Sequence, residues 1–159
     1  ERRFQDACTF LRNNREFIAD EVVGRINKLT PKSAGLWGKM NVAQMMAHCN
    51  VSYEMVYTDK HPKPNGAMKL MLKLFVKQPV VNEKPYKKNS RTAPAFLIVD
   101  ERDFEKEKQR LIDYLIKTQE LGEDHFHNKE SHSFGPLTKT EWNNLFYKHL
   151  NHHLEQFGV

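Results

Sequence analysis

Residues 138–158 read TKTEWNNLFYKHLNHHLEQFG, and the rest of the chain is best read outward from them. Thr138 followed three residues later by Glu141 is the pattern of a capping box, in which a hydroxyl and a carboxylate satisfy the free N–H groups of a helix start. Trp142, Leu145, Phe146, His149, Leu150, His153 and Phe157 then recur three and four apart, the period of a helix with one buried face. Gly158 ends it. At about 100° per residue, His149 and His153 stand roughly 40° apart near the centre of that face. His152 falls near its border and is a weaker candidate.

Two imidazoles thus occupy places where leucines are expected. An unsatisfied buried polar group costs about 1–3 kcal/mol, so the pair needs partners. A shared metal ion is one solution, because histidines at i and i+4 can aim their nitrogens at one point about 2.0–2.1 Å away. A hydrogen-bonded network in the core is another, and the spacing alone does not choose between them.

Three more segments carry the same period. Asn13 with Glu16 opens a helix bearing Phe17, Ile18, Val22, Ile26 and Leu29, which Thr30-Pro31 ends. Asn41 with Gln44 opens a second, with the stripe Val42, Met45, Met46, Cys49, Tyr53 and Val56. A third starts at Asp100 or Asp103, presents Phe104, Leu111, Ile112, Leu115 and Ile116, and stops at Gly122. No region shows sustained strand alternation, so the chain reads as all-α, a single domain over 1–159 with four helices burying their stripes together. Residues 1–11 read equally as a short leading helix or an extended arm.

The connection from about 59 to 99 is too long for an ordinary loop. It holds its own amphipathic piece, Ala67 to Lys77, with Lys69, Lys73 and Lys77 four apart, and is broken by Pro79, Pro85 and Pro94. A crossover of this kind lets the second and third helices lie parallel. Its lysine face reads as the exposed side of a short helix packed on the bundle. An attractor for anionic substrate and a contact for acidic lipid or nucleic acid are the lesser readings.

Charge supports that local view. The net charge is +5, yet residues 60–91 hold eight lysines and one arginine against Glu83 alone, so the remainder is slightly acidic. Neither nucleic acid nor a membrane is expected as a partner, and no apolar run approaches the roughly 18 residues of a membrane span. Two cysteines, Cys8 and Cys49, make no disulfide framework, and a cytoplasmic setting follows. No signal peptide is expected, although the sequence opens on Glu1.

A third metal ligand is sought on the second helix. His48 lies at the edge of its stripe, roughly 90° from the centre. Gln44, one turn earlier, is placed to orient its ring as a metal's outer partner. Taken alone, a boundary histidine facing solvent is the plainer reading.

Two stretches resemble the DinB/YfiT-like superfamily of bacterial metal-binding four-helix bundles. They are Leu36-Trp37-Gly38-Lys39-Met40-Asn41 continuing to His48-Cys49, and Phe134-Gly135-Pro136-Leu137-Thr138 continuing through Glu141-Trp142 to His152-His153. The phrasing is closest to an uncharacterised branch. The resemblance implies that His48, His149 and His153 hold a divalent ion, zinc or nickel, and that the long crossover belongs to the bundle. It also implies homodimers, and enzymes that transfer a low-molecular-weight thiol to a small-molecule electrophile. Hydrolysis by an activated water is the other chemistry open to such a site. A non-catalytic binding or stress-response bundle with structural histidines is the rival.

Cys49 beside His48 reads as a buried structural cysteine rather than a nucleophile, because helix neighbours point about 100° apart. His125, His127 and His132 read as a polar loop or, functionally, as a lid, with His132 nearest the last helix. Trp37 reads as a core plug. Glu54 and Glu141 are available as acids or bases, Glu141 being engaged in its capping box.

Overall fold

The computed structural model describes residues 15–159. Segment 1–11, the Asn13–Glu16 capping box, Cys8 and the side chains of Phe17 and Ile18 lie outside the described residues. The described chain is mostly helical: α1 (Arg15–Asn27), α2 (Val42–Tyr57), α3 (Gly66–Phe75), α4 (Lys77–Val81), α5 (Phe104–Phe126) and α6 (Lys139–Gln156). A 3-10 turn spans Pro94–Phe96, and an antiparallel hairpin joins β1 (Lys129–Ser131) to β2 (Gly135–Leu137).

Both visible capping boxes form. The Asn41 side chain accepts from the Gln44 amide at 2.8 Å while Gln44 Oε1 accepts from the Asn41 amide at 3.1 Å, and Thr138 and Glu141 do the same for α6. Asp103, not Asp100, caps α5, accepting from the Lys106 amide at 2.8 Å. Gly122, at φ 72°, interrupts α5 where a stop was expected. One more turn follows and buries Phe126 against Trp142 and Phe146, with ring centroids 5.6 and 5.8 Å away.

The apolar stripes meet in one core. Val22 and Ile26 of α1 and Leu29 just beyond it, Met45, Met46, Cys49 and Tyr53 of α2, Leu111 of α5, and Trp142, Phe146, Leu150 and Leu154 of α6 are all buried in it. Ile116 is a correction, being 43% exposed. Tyr114 takes the inward place by stacking on Tyr53 at 5.6 Å, and two residues further on is about 200° around the helix. The hairpin is a second departure. Its three-residue strands are too short to show alternation, and Ser131 Oγ closes it by donating to the Gly135 carbonyl at 2.7 Å.

Pairwise contacts give the helix directions. Asn50 meets Glu107, Glu54 meets Arg110 and Tyr57 meets Thr118, so α2 and α5 run parallel. His48 meets His149 while Tyr53 meets Phe146, so α6 runs antiparallel to α2. The parallel pair needs the crossover to traverse the molecule, and Lys148 of α6 staples it down. This buried ammonium donates to the carbonyls of Pro79 and Asn82 at 2.7 and 2.8 Å and to Asn82 Oδ1 at 3.0 Å. Lys148→Met keeps the stem but strands those acceptors. A loss of about 3 kcal/mol in urea unfolding, with faster amide exchange across 79–96, is expected. Unchanged exchange there would show that the staple is redundant.

The lysine-bearing helix α3 is turned opposite to expectation. Lys69 pairs with Glu130 of the hairpin, and Lys77, just beyond α3, pairs with Glu141 at 2.8 Å. Lys73 alone of the three is exposed. Lys69 reaches Glu130 of the hairpin along the surface and Lys77 reaches Glu141 in the first turn of α6, while the apolar side of α3 faces water. Among the described residues, no helix is long and apolar enough to cross a membrane.

Candidate metal centre

α2 and α6 bring His48, His149 and His153 together. One ligating nitrogen from each ring lies within 4.8 Å of the other two, and the ring centroids stand 4.5–4.9 Å apart. The edge position of His48 therefore faces inward, between α2 and α6. His48 and His153 are buried, and His149 keeps partial exposure.

The hydrogen bonds around the cluster determine where the ring protons sit. His48 Nδ1 stands 2.8 Å from the Phe96 carbonyl, which can only accept, so Nδ1 carries the hydrogen. Gln156 Nε2 donates to the Trp37 carbonyl at 2.7 Å, which leaves Gln156 Oε1 as the acceptor for His153 Nδ1–H at 2.8 Å. Both rings therefore have an unprotonated Nε2. His149 Nδ1 lies 2.9 Å from Ser52 Oγ, and its Nε2 lies 2.9 Å from that of His48. If Ser52 accepts, His149 Nε2 is also unprotonated, its lone pair meets that of His48 at 2.9 Å with no hydrogen between them, and a cation between the rings would relieve the conflict.

The residues fit a divalent ion. Tetrahedral ligands about 2.0–2.1 Å from a metal stand about 3.3–3.4 Å from one another. One pair of ring nitrogens here is closer than that and the others are within 4.8 Å, so side-chain adjustments suffice. Each ring also has an outer partner on Nδ1, the usual arrangement for metal-bound histidine. Burial lowers all three pKa values: His149 well below the ordinary 6.5, His153 to about 3, and His48 despite its carbonyl partner. Positive charge on the neighbouring rings acts in the same direction. The set is thus neutral and ready to ligate at pH 7 without losing protons.

Other expected residues lie elsewhere. Gln44 does not orient His48, because its amide is engaged by the Asn41 amide and, at 3.2 Å, by the Asp100 carbonyl. Phe96 does that work instead. His152 stays outside the ligand cluster, edge-on to Trp37 and Tyr86 at 6.0 and 5.7 Å. Trp37 is half-buried rather than a core plug; it leans on His152 and lies under the Lys88 ammonium, 4.0 Å away. His132 contacts Ser133 and the His61 carbonyl, so it is no lid over the three rings. His125 and His127 are exposed. Cys49 is buried against Met45 with its thiol pKa pushed up by burial, a structural cysteine. Glu54 is engaged by Lys60, His61 and Arg110.

Ser52, Gln156 and Phe96 were missed. Ser52 lies four residues after His48 and Gln156 three after His153, so helical spacing marks both. Phe96, 48 residues from its partner, has no such signal. Its ring also covers the cluster, 5.3 Å from His48 and 5.7 Å from His149. A cavity of about 350 Å³ lined by Tyr53, Phe126, Trp142 and Phe146 lies nearby, but none of the three histidines lines it.

The family model described as "Protein of unknown function (DUF1569)" matches residues 15–158. No curated protein and no solved structure matches the chain.

Proposed function

The chain belongs to the DUF1569 family, and we propose that it is a metal-dependent enzyme on a DinB-like four-helix bundle, with a divalent ion held by His48, His149 and His153. The observation that carries this reading is the tautomer pair. Phe96 and Gln156 each take an Nδ1 hydrogen, which leaves Nε2 of His48 and of His153 unprotonated in rings whose ligating atoms lie within 4.8 Å of one another and of His149. Zinc and nickel are the ions to look for, since imidazole suits both.

Held by the neutral rings of His48, His149 and His153, a divalent ion would keep its charge and would lower the pKa of a thiol or a water molecule beside it. The chain's own residues supply the rest. Phe96, Ser52 and Gln156 fix the ring orientations, and the Phe96 ring limits water at the covered side. The partly exposed His149 marks the side from which a small-molecule substrate arrives. Transfer of a low-molecular-weight thiol to an electrophile, or hydrolysis, is the chemistry that suits this ligand set.

A second reading has its own observation. The 2.9 Å between the Nε2 atoms of His48 and His149 is also a hydrogen-bond length. With Ser52 donating to His149 Nδ1, a metal-free network in a non-catalytic bundle satisfies those two rings. Metal analysis separates the readings. About one zinc or nickel per chain is expected in purified protein, or after dialysis of stripped protein against either ion. A chain that carries neither and takes up neither removes the enzyme proposal.

A further inference from the structure

Helix α3 is amphipathic and sits inside out. None of its ten residues is buried. Leu70, Leu74 and Phe75 are 58%, 62% and 75% exposed, and Met68, Met71 and Val76 join them. On a helical wheel Leu70, Met71 and Leu74 centre the outward face, with Phe75 and Met68 on its flank. The inward side holds Lys69 and Leu72, and Lys69 and Lys77 anchor the helix and its C-terminal continuation to Glu130 and Glu141. Turning the apolar face inward would break both ion pairs. A contiguous apolar face held toward water in this way marks an interaction surface.

Charge selects the occupant. The crossover 60–91 carries a net +8, and of its cations Lys63, just before α3, and Lys73, on α3, are exposed. A second copy docking face to face would bring two such segments together, and like charge opposes that. An anionic lipid surface answers both features, with leucine and phenylalanine entering the acyl boundary while lysines meet phosphate headgroups. We propose that α3 is a membrane-surface docking helix that seats the protein on anionic phospholipid.

The test is sedimentation of the full chain with vesicles of phosphatidylcholine alone and of phosphatidylcholine mixed with phosphatidylglycerol. Binding is expected only to the mixed vesicles, weakening as salt rises. The double substitution Leu74→Glu and Phe75→Glu should reduce the bound fraction about ten-fold or more while leaving helicity and oligomeric state unchanged. Lys73→Glu should reduce binding by a smaller factor and restrict it to lower salt. Absence of binding to mixed vesicles overturns the proposal, as does equal binding to both vesicle types. Dissociation of a wild-type dimer by the double substitution also overturns it, assigning the face to a second copy. If vesicles bind only once residues 1–14 are removed, the chain itself covers the face and the proposal fails.

Discussion

His153→Ala is expected to cost the chain about 10²–10³ in zinc affinity, because an apparent 10–16 kcal/mol shared among four ligands is about 2.5–4 kcal/mol each. Gln156→Ala should cost about 10–100-fold, since it leaves the ligand but frees its ring. The order matters more than either number. Gln156 contacts His153 only through Nδ1, and Trp37 holds its amide, so a graded loss from residue 153 to residue 156 would trace the path by which chain geometry reaches a bound ion. Thermal unfolding with and without zinc gives a second readout. Zinc should raise the wild-type midpoint by mass action and leave that of His153→Ala nearly unchanged. Under the hydrogen-bonded network, His153→Ala lowers the midpoint by the same amount whether or not zinc is present. Calorimetric titration checks the affinities, and equal zinc binding by all three proteins would remove His153 from the ligand set.

The helices were legible because their starts are written in side chains. Asn41 with Gln44 and Thr138 with Glu141 sit at the observed caps, and the three-and-four spacing between those marks reports burial directly. The histidine pair was legible for the same reason, spacing on one helix. Its partners were legible only as far as periodicity reaches. Ser52 and Gln156 are within a turn of a histidine of the cluster, whereas Phe96 arrives through a crossover with no periodic signal. Gln44 failed because one amide serves few partners, and its own helix cap took it. The lysine face failed for an electrostatic reason. Amphipathicity shows that a helix has two sides, but which side faces the protein depended on Glu130 and Glu141, 61 and 64 residues beyond Lys69 and Lys77. The hairpin was invisible because strands of three residues have too few alternations to count.

The largest stability effect is expected at Arg110. Glu54 and Glu107 are 5% and 3% exposed, and the Arg110 guanidinium joins them, reaching Glu107 at 2.7 Å and Glu54 through its other arm. Lys60 and His61 complete the cluster at 2.8 Å each from Glu54. Removing the cation that both carboxylates share leaves Glu54 only Lys60 and His61, and Glu107 only Asn50 and Arg102, so Arg110→Ala should cost about 3–5 kcal/mol in urea unfolding at pH 7. Arg110→Ala with Glu107→Gln should recover part of that, since the second change removes one stranded charge. The pH dependence tests the cause. Burial pushes the Glu54 carboxyl up, but Lys60, His61 and Arg110 outweigh it and hold it at about 2, against an ordinary 4.5. A carboxyl lowered by folding contributes stability that is full above its unfolded pKa and disappears as pH falls toward the folded one. The wild-type advantage over Arg110→Ala should therefore be widest above about pH 5 and shrink steadily toward about pH 2–3. An advantage that stays constant across that window would assign Arg110 a packing role through its alkyl stem, with the carboxylates indifferent to its charge.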